Sequence, residues 1–218
     1  MDHALHWLPD LTKDVTGVPW SPLGDALRSG LPVPNGFAAG PGVPEESVRA
    51  AYETLKIRER THFVAVRGPS HAVLDTIGSD PLIHTMRRLR LEAPDATLLV
   101  QRMVHSAWCG KAGWDGETAQ RVLRITANEG MLVHDPDVYL FNAATCECTA
   151  KTIQQKQRKT IRRVDGISKT IEVQGERMAL DSVHLKRIAE LVDRVGSGIG
   201  WALDDNSRLW LISIHPGS

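Results

Sequence analysis

Near the C-terminus two apolar runs, Ile199-Gly200-Trp201-Ala202-Leu203 and Leu209-Trp210-Leu211-Ile212-Ser213-Ile214, flank a turn made of Asp204, Asp205, Asn206 and Ser207. Apolar and aromatic residues on both sides of a short Asp/Asn/Ser segment read as a β-hairpin. Trp201 and Trp210 are expected in the core, so the hairpin belongs to a packed sheet. It opens on two glycines, Gly198 and Gly200, and closes on His215-Pro216.

Composition limits what surrounds such a hairpin. With 218 residues, 42% hydrophobic and 24% charged, the chain buries a substantial core and fits one domain or two small lobes. Twenty-six basic residues balance 26 acidic ones, which leaves no overall footprint for nucleic acid or an acidic membrane, although local basic patches stay open. The three cysteines, Cys109, Cys146 and Cys148, lack CxxC spacing, and no signal segment or apolar run of membrane length is visible. A reducing cytoplasm is the expected compartment.

Helices and strands are mixed without strict alternation, which predicts an α+β arrangement. The boundary between two lobes falls within Pro94–Gln101, giving an N-terminal lobe 1–95 and a strand-rich lobe 96–218. In the first, Pro22–Ser29 reads as a short helix ending at Gly30. Pro44–Arg58 reads as a second, with Glu45 and Glu46 at its positive end and Val48, Ala51 and Leu55 on one face. His62–Arg67 is a short buried strand, and Asp80–Leu91 is a helix with Leu82, Ile83, Met86 and Leu89 inward.

The second lobe is mostly strands: Thr97–Val104, Ala107–Gly113, Gln120–Ala127, Val138–Asn142, Glu147–Gln154, Lys159–Val164 and Lys169–Val173. Asp165-Gly166 is a tight-turn signal between the last two. Asp181 or Ser182 caps a helix with Leu185, Ile188, Leu191, Val192 and Val195 at helical spacing.

Several separated stretches resemble one family in the expected order. Gly30-Leu31-Pro32-Val33-Pro34-Asn35-Gly36-Phe37 is similar to G-L-P-V-P-P-G-F, Phe63-Val64-Ala65-Val66-Arg67 to V-A-V-R-S-S, and Val100-Gln101-Arg102-Met103-Val104 to V-V-Q-R-M-V. Downstream, Pro136-Asp137-Val138-Tyr139 resembles P-D-R-Y, Ala144-Thr145-Cys146-Glu147 resembles A-T-G-E, and Lys151-Thr152-Ile153 resembles K-T-I. With the terminal hairpin, these resemble the nucleotide-binding domain of the phosphoenolpyruvate synthase and pyruvate phosphate dikinase family. The resemblance implies an ATP-grasp-like fold, two small lobes around a cleft.

It also implies what is missing. Phosphoryl transfer from ATP relies on cations at the phosphates and carboxylates that hold Mg²⁺. The family's G-G-K lysine corresponds to Pro19, which forfeits a charge-assisted contact worth ~1.5–3 kcal/mol. The two acidic positions of its D-I-E-W-A-L-D hairpin correspond to Gly198 and Gly200, and its glutamine to Ser213. Asp204 and Asp205 lie in the turn, away from the metal-facing positions. The W-G-L-G-E segment is reduced to Asn128-Glu129-Gly130-Met131-Leu132, and the phosphohistidine and phosphoenolpyruvate domains of such enzymes are expected to be lacking. No metal site is expected, no cofactor is expected, and ATP with Mg²⁺ is disfavoured.

The remaining candidates carry alternatives. Arg67, the phosphate-handling position retained, either binds an anion through its planar fork or pairs with a carboxylate. Gln101 also survives, on a strand where packing alone would account for it. Trp20 and Trp108, with Trp114, either line an apolar pocket or fill vacated space. His71 and Asp75 form an acid–base pair if Ser70 begins a helix, and are otherwise a surface feature. His215, in place of the family's arginine, is either a general acid or base or a cap on the sheet edge. His105 and Cys109 lie four apart and invite a nucleophile–base reading, but along a strand they stand ~13 Å apart, too far for a hydrogen bond unless the chain turns between them. Cys146 and Cys148 are expected as inert thiols, and the basic run Lys151, Lys156, Arg158, Lys159, Arg162, Arg163 as a solvated surface.

The expected function is therefore that of a degenerate dikinase-type domain without normal ATP phosphotransfer, a binding or accessory protein. It would hold a small molecule in the former nucleotide cleft or a protein partner, with no nucleic acid and no membrane. The alternative is a repurposed, ATP-independent enzyme acting on a small organic substrate in a specialised biosynthetic pathway. Residual ATP binding completed by a partner chain is the third reading. An active ATP-dependent dikinase or synthase is not expected.

Overall fold

The computed structural model describes residues 5–12, 20–115, 122–131, 136–142, 147–155, 158–162, 167–172 and 179–215. Pro19, Cys146, Lys156, Arg163 and the Asp165-Gly166 turn lie outside them. The polypeptide divides into two compact units, Met1–Met103 and Val104–Ser218.

The first unit is built on an antiparallel sheet of β1 (Leu5–Trp7), β2 (Gly36–Ala39), β3 (Phe63–Arg67), β4 (Ala72–Ile77) and β5 (Leu98–Arg102), in the order β1-β2-β5-β3-β4. Leu98, Leu99, Val100 and Gln101 are all buried. A nearly continuous apolar run suits a strand covered on both faces. Because β5 pairs with β2 and β3, it belongs to the first unit, whereas the expected boundary at 95/96 put it in the second.

Three helices accompany the sheet: α1 (Ser21–Arg28), α2 (Glu45–Glu59) and α3 (Ser79–Glu92). Helices α2 and α3 place Val48, Ala51, Tyr52, Leu55, Leu82, Ile83, Met86 and Leu89 in one core with Phe37, Val64, Val66 and Val100. Each large apolar side chain buried there contributes about 1.5–3 kcal/mol. The inward faces match the spacing read from the sequence, with Tyr52 added, its hydroxyl donating to the His62 carbonyl at 2.9 Å.

Three strands escaped the sequence reading. Strand β1 is three residues long, held by Trp7 edge-on to Phe37 with ring centroids 5.7 Å apart. Strand β2 is short and glycine-led. Strand β4 occupies the segment where a helix from Ser70 was entertained, so no helical spacing relates His71 to Asp75.

In the second unit a six-stranded antiparallel sheet runs β13-β12-β6-β7-β8-β9. Its strands are β6 (Ser106–Asp115), β7 (Val122–Glu129), β8 (Asp137–Asn142), β9 (Cys148–Thr152), β12 (Gly198–Asp204) and β13 (Leu209–His215). A separate antiparallel pair comprises β10 (Arg158–Arg162) and β11 (Ser168–Glu172). Helix α4 (Ser182–Val195) packs on the large sheet, its Leu185, Ile188, Leu191 and Val192 buried. Asp181 caps it, accepting the His184 N–H at 2.8 Å. With antiparallel sheets and helices mixed along the chain, the fold class is α+β. No helix among the described residues is long and apolar enough to cross a membrane.

Strand alternation assigns the faces of this sheet. Gly110, Ala112, Leu123, Ile125, Ala127, Ile199 and Trp201 are buried on the side of α4. Lys111, Gly113, Arg124, Gly198 and Gly200 therefore share the opposite side. A register shift between Gly200 and Trp201 in the β12–β13 pairing lets Gly200 face Ser213 and Trp201 face Leu211.

Two glycines of this sheet are unequal. A Cβ at Gly110 would run into the Thr126 carbonyl oxygen and stand 3.0 Å from the Trp201 ring, whereas one at Gly198 meets nothing closer than 3.7 Å. Gly110→Ala should therefore lower stability by about 3 kcal/mol through overpacking, and Gly198→Ala should leave it unchanged or raise it by about 0.5 kcal/mol. Urea unfolding midpoints of the two variants measure the contrast.

Candidate functional site

In the first unit Arg67 ends β3 and Gln101 sits on the neighbouring β5, with Ala65 directly opposite Gln101. Arg67 Nε donates to Gln101 Oε1 at 3.1 Å, and Gln101 Nε2 donates to the Pro34 carbonyl at 2.9 Å. Gln101 is 1% exposed. Its amide thus orients the guanidinium from the Leu31–Gly36 loop. No carboxylate pairs with Arg67 among the described residues, and burial lowers its pKa to about 10. Of the two readings left open for Arg67, the carboxylate pair does not occur among the described residues. A half-buried, neutral-partnered guanidinium is a donor group suited to an anion.

Trp20 precedes α1, its indole N–H donating to the Thr97 carbonyl at 3.0 Å. That bond ties α1 to the segment before β5. His71 is exposed, 3.5 Å from Glu92 at the end of α3. Asp75 sits in β4 with φ 55°, its N–H donating to Met103 Sδ. A four-residue step along a strand spans ~13 Å, so the acid–base pair entertained for His71 and Asp75 does not form.

In the second unit Trp108 opposes Glu129 and Leu203 on the α4 side of the sheet. It does not share the face of Gly198 and Gly200. Cys109 follows, its thiol pushed up to about 12 by burial, against a smaller lowering by Ser106. It is therefore a protonated thiol at neutral pH, which removes the Cys109–His105 nucleophile reading. Cys148 is exposed, and no His, Cys, Asp or Glu group able to hold a metal occurs among the described residues.

The glycines of the terminal hairpin face His215 and Ser213. Gly198 pairs with His215 and Gly200 with Ser213, and the Ser213 hydroxyl lies where a Gly200 side chain would begin. Ser213 Oγ and His215 Nε2 are 3.1 Å apart. Burial, and then the charge of Lys111, hold the His215 imidazole below its ordinary pKa, so it is neutral at pH 7. Ser213 was read from the sequence only as a lost glutamine. The i, i+2 spacing to His215 on one strand was the signal that could have joined them.

Asp204 is consumed by the hairpin turn. Its carboxylate accepts the Asn206 N–H at 3.0 Å, the Arg208 N–H at 2.9 Å and the Trp210 indole N–H at 2.9 Å. Burial raises its pKa, but the Trp210, Arg208 and Asn206 bonds outweigh that and leave it below the usual value. These acceptor sites are unavailable to a metal.

No protein-family model and no curated protein matches the chain. Solved structures do. The chain is similar to the D-alanine-D-alanine ligase from Coxiella burnetii at 12% identity, with a TM-score of 0.50, over 90% of this chain and 46% of that one. The D-alanine--D-alanine ligase from Bacillus anthracis aligns at 9% identity and TM-score 0.49, over 91% and 55% of the two chains. For D-alanyl-alanine synthetase A from Vibrio cholerae the figures are 11%, 0.49, 90% and 54%. The chain spans about half the length of these structures. The fold is ATP-grasp-like.

Asp204 gives a pH signature. A carboxylate with a depressed folded pKa stabilises fully above its unfolded value of about 3.9, and that stability is lost as pH falls through the folded value. Asp204→Ala should lower the urea midpoint at pH 6 and narrow its gap to the wild type as pH falls below about 3.9, measured as unfolding midpoints across that range.

Proposed function

We propose that the chain is a shortened, degenerate relative of the dikinase nucleotide-binding domain, acting as a binding or accessory protein without ATP-dependent phosphotransfer. One observation carries this reading: on the hairpin face where the resemblance puts two acidic side chains, the chain has Gly198 and Gly200, and the Ser213 hydroxyl occupies the space beside Gly200. Mg²⁺ needs oxygen ligands, usually one or two carboxylates beside the phosphates. Glycines supply backbone carbonyls already engaged in a sheet. The nearest acid, Asp204, is spent on its turn.

Arg67 and Gln101 support the binding half of the reading. Their hydrogen-bonded arrangement presents a guanidinium without a carboxylate partner, which suits the phosphate or carboxylate of a small molecule. The Ser213–His215 contact favours the second reading, a repurposed ATP-independent enzyme, because a hydroxyl beside a neutral imidazole is the start of a nucleophile–base pair.

Calorimetry with MgATP tests the loss of nucleotide chemistry. The expected outcome is no binding tighter than ~0.1 mM. Tighter binding that Arg67→Ala weakens would sink the reading.

A further inference from the structure

The face of the second unit that bears Gly198 and Gly200 also carries the cations Lys111 and Arg124. In register across four strands lie Arg124, Gly113, Gly198 and His215, and beside that row Thr126, Lys111, Gly200 and Ser213. Alternation puts all eight on one side. Three glycines at the centre leave backbone as the floor, while polar and cationic side chains stand at both margins. Adjacent strands are ~4.8 Å apart and two residues rise ~6.7 Å, so the backbones of Lys111 and His215, two strands across and one row along, are separated by about 12 Å, within reach of two long side chains on one small molecule.

Among the described residues the cations on this face have no carboxylate partner. Asp and Glu side chains among the described residues do not pair with Lys111 or Arg124, and the positive charge of Lys111 acts on His215. Asp115 shares their parity but stands at the end of β6 opposite Val122. Thr126 fixes the Lys111 backbone, donating to its carbonyl at 3.1 Å and accepting its N–H at 3.0 Å. Ser213 and His215 are half-buried and hold each other, which leaves each with hydrogen-bonding capacity directed over the glycines.

We propose that this face is an oxyanion-binding site for the carboxylate or phosphate end of a small organic molecule, with Lys111 and Arg124 supplying charge, Ser213 and His215 hydrogen bonds, and Gly113, Gly198 and Gly200 the floor. The proposal goes beyond the reading above and rests on it only in taking the face to be free of nucleotide. MgATP binding would overturn that reading, whereas the Lys111 comparison below decides this one.

The test is an NMR titration of the full chain with inorganic phosphate and, separately, acetate, at ionic strength held constant with chloride, following the His215 imidazole. A saturable shift with an apparent Kd below ~10 mM is expected for at least one anion, with the His215 pKa rising as the anion binds. Tighter phosphate binding assigns a phosphate end, tighter acetate binding a carboxylate. Lys111→Met, at an exposed position, should weaken binding about tenfold. Gly198 has room for a side chain, so Gly198→Asp should weaken it by tenfold or more through repulsion, and the isosteric Gly198→Asn by less than about threefold. A linear, non-saturating shift with both anions overturns the proposal, as does binding indifferent to Lys111→Met or equal in the Asp and Asn variants.

Discussion

The second unit is organised by the contact of Trp201 with Gly110. The indole is 1% exposed, and its ring lies against a position where a single added carbon would strike both it and the Thr126 backbone. Only glycine lets β6, β7 and the Trp201 ring approach so closely. This packing pins β12 to β6 in one register, and because side chains alternate, register decides the rest. Trp201 inward means Gly198 and Gly200 outward, Lys111 beside them, and Ser213 and His215 across the hairpin.

A comparable constraint runs through the first unit in polar form. Gln101 is a buried amide on a strand otherwise filled by Leu98, Leu99 and Val100. Its two bonds, from Arg67 and to Pro34, satisfy a group that would otherwise cost roughly 1–3 kcal/mol. The same bonds aim the guanidinium. Packing and binding capacity therefore share one pair of residues there, whereas in the second unit Trp201 packs on one face of the sheet and Lys111, Ser213 and His215 stand on the other.

Much of the architecture was legible from periodicity. Leu82, Ile83, Met86 and Leu89 lie inward as spaced, Asp181 caps its helix, and the terminal hairpin pairs as read. What stayed hidden was local and short. Strand β1 has three residues and β2 four, too few to show a period, and β4 with the preceding His71 runs His71-Ala72-Val73-Leu74-Asp75, which fits a helical turn equally well until β3 claims the strand as a partner. The lobe boundary moved because β5 is apolar on both faces and such a run does not announce which sheet it joins. At the site, single positions such as Arg67, Gln101 and His215 stood out, but Lys111, Arg124 and Ser213 gain meaning only when four strands are laid side by side. Cross-strand neighbours are invisible to a linear reading.

The two hairpin glycines also differ in what could ever replace them. Gly198 has open space, so an acidic residue fits there by a single substitution, while Gly200 is blocked by the Ser213 hydroxyl. An acid at 200 would first require Ser213 to shrink or turn away, and Ser213 is itself engaged with His215. Placing carboxylates at both positions is thus ordered: the partner strand must yield before the second glycine can. Such a dependence makes position 198 open to elaboration in one step and position 200 open only in two.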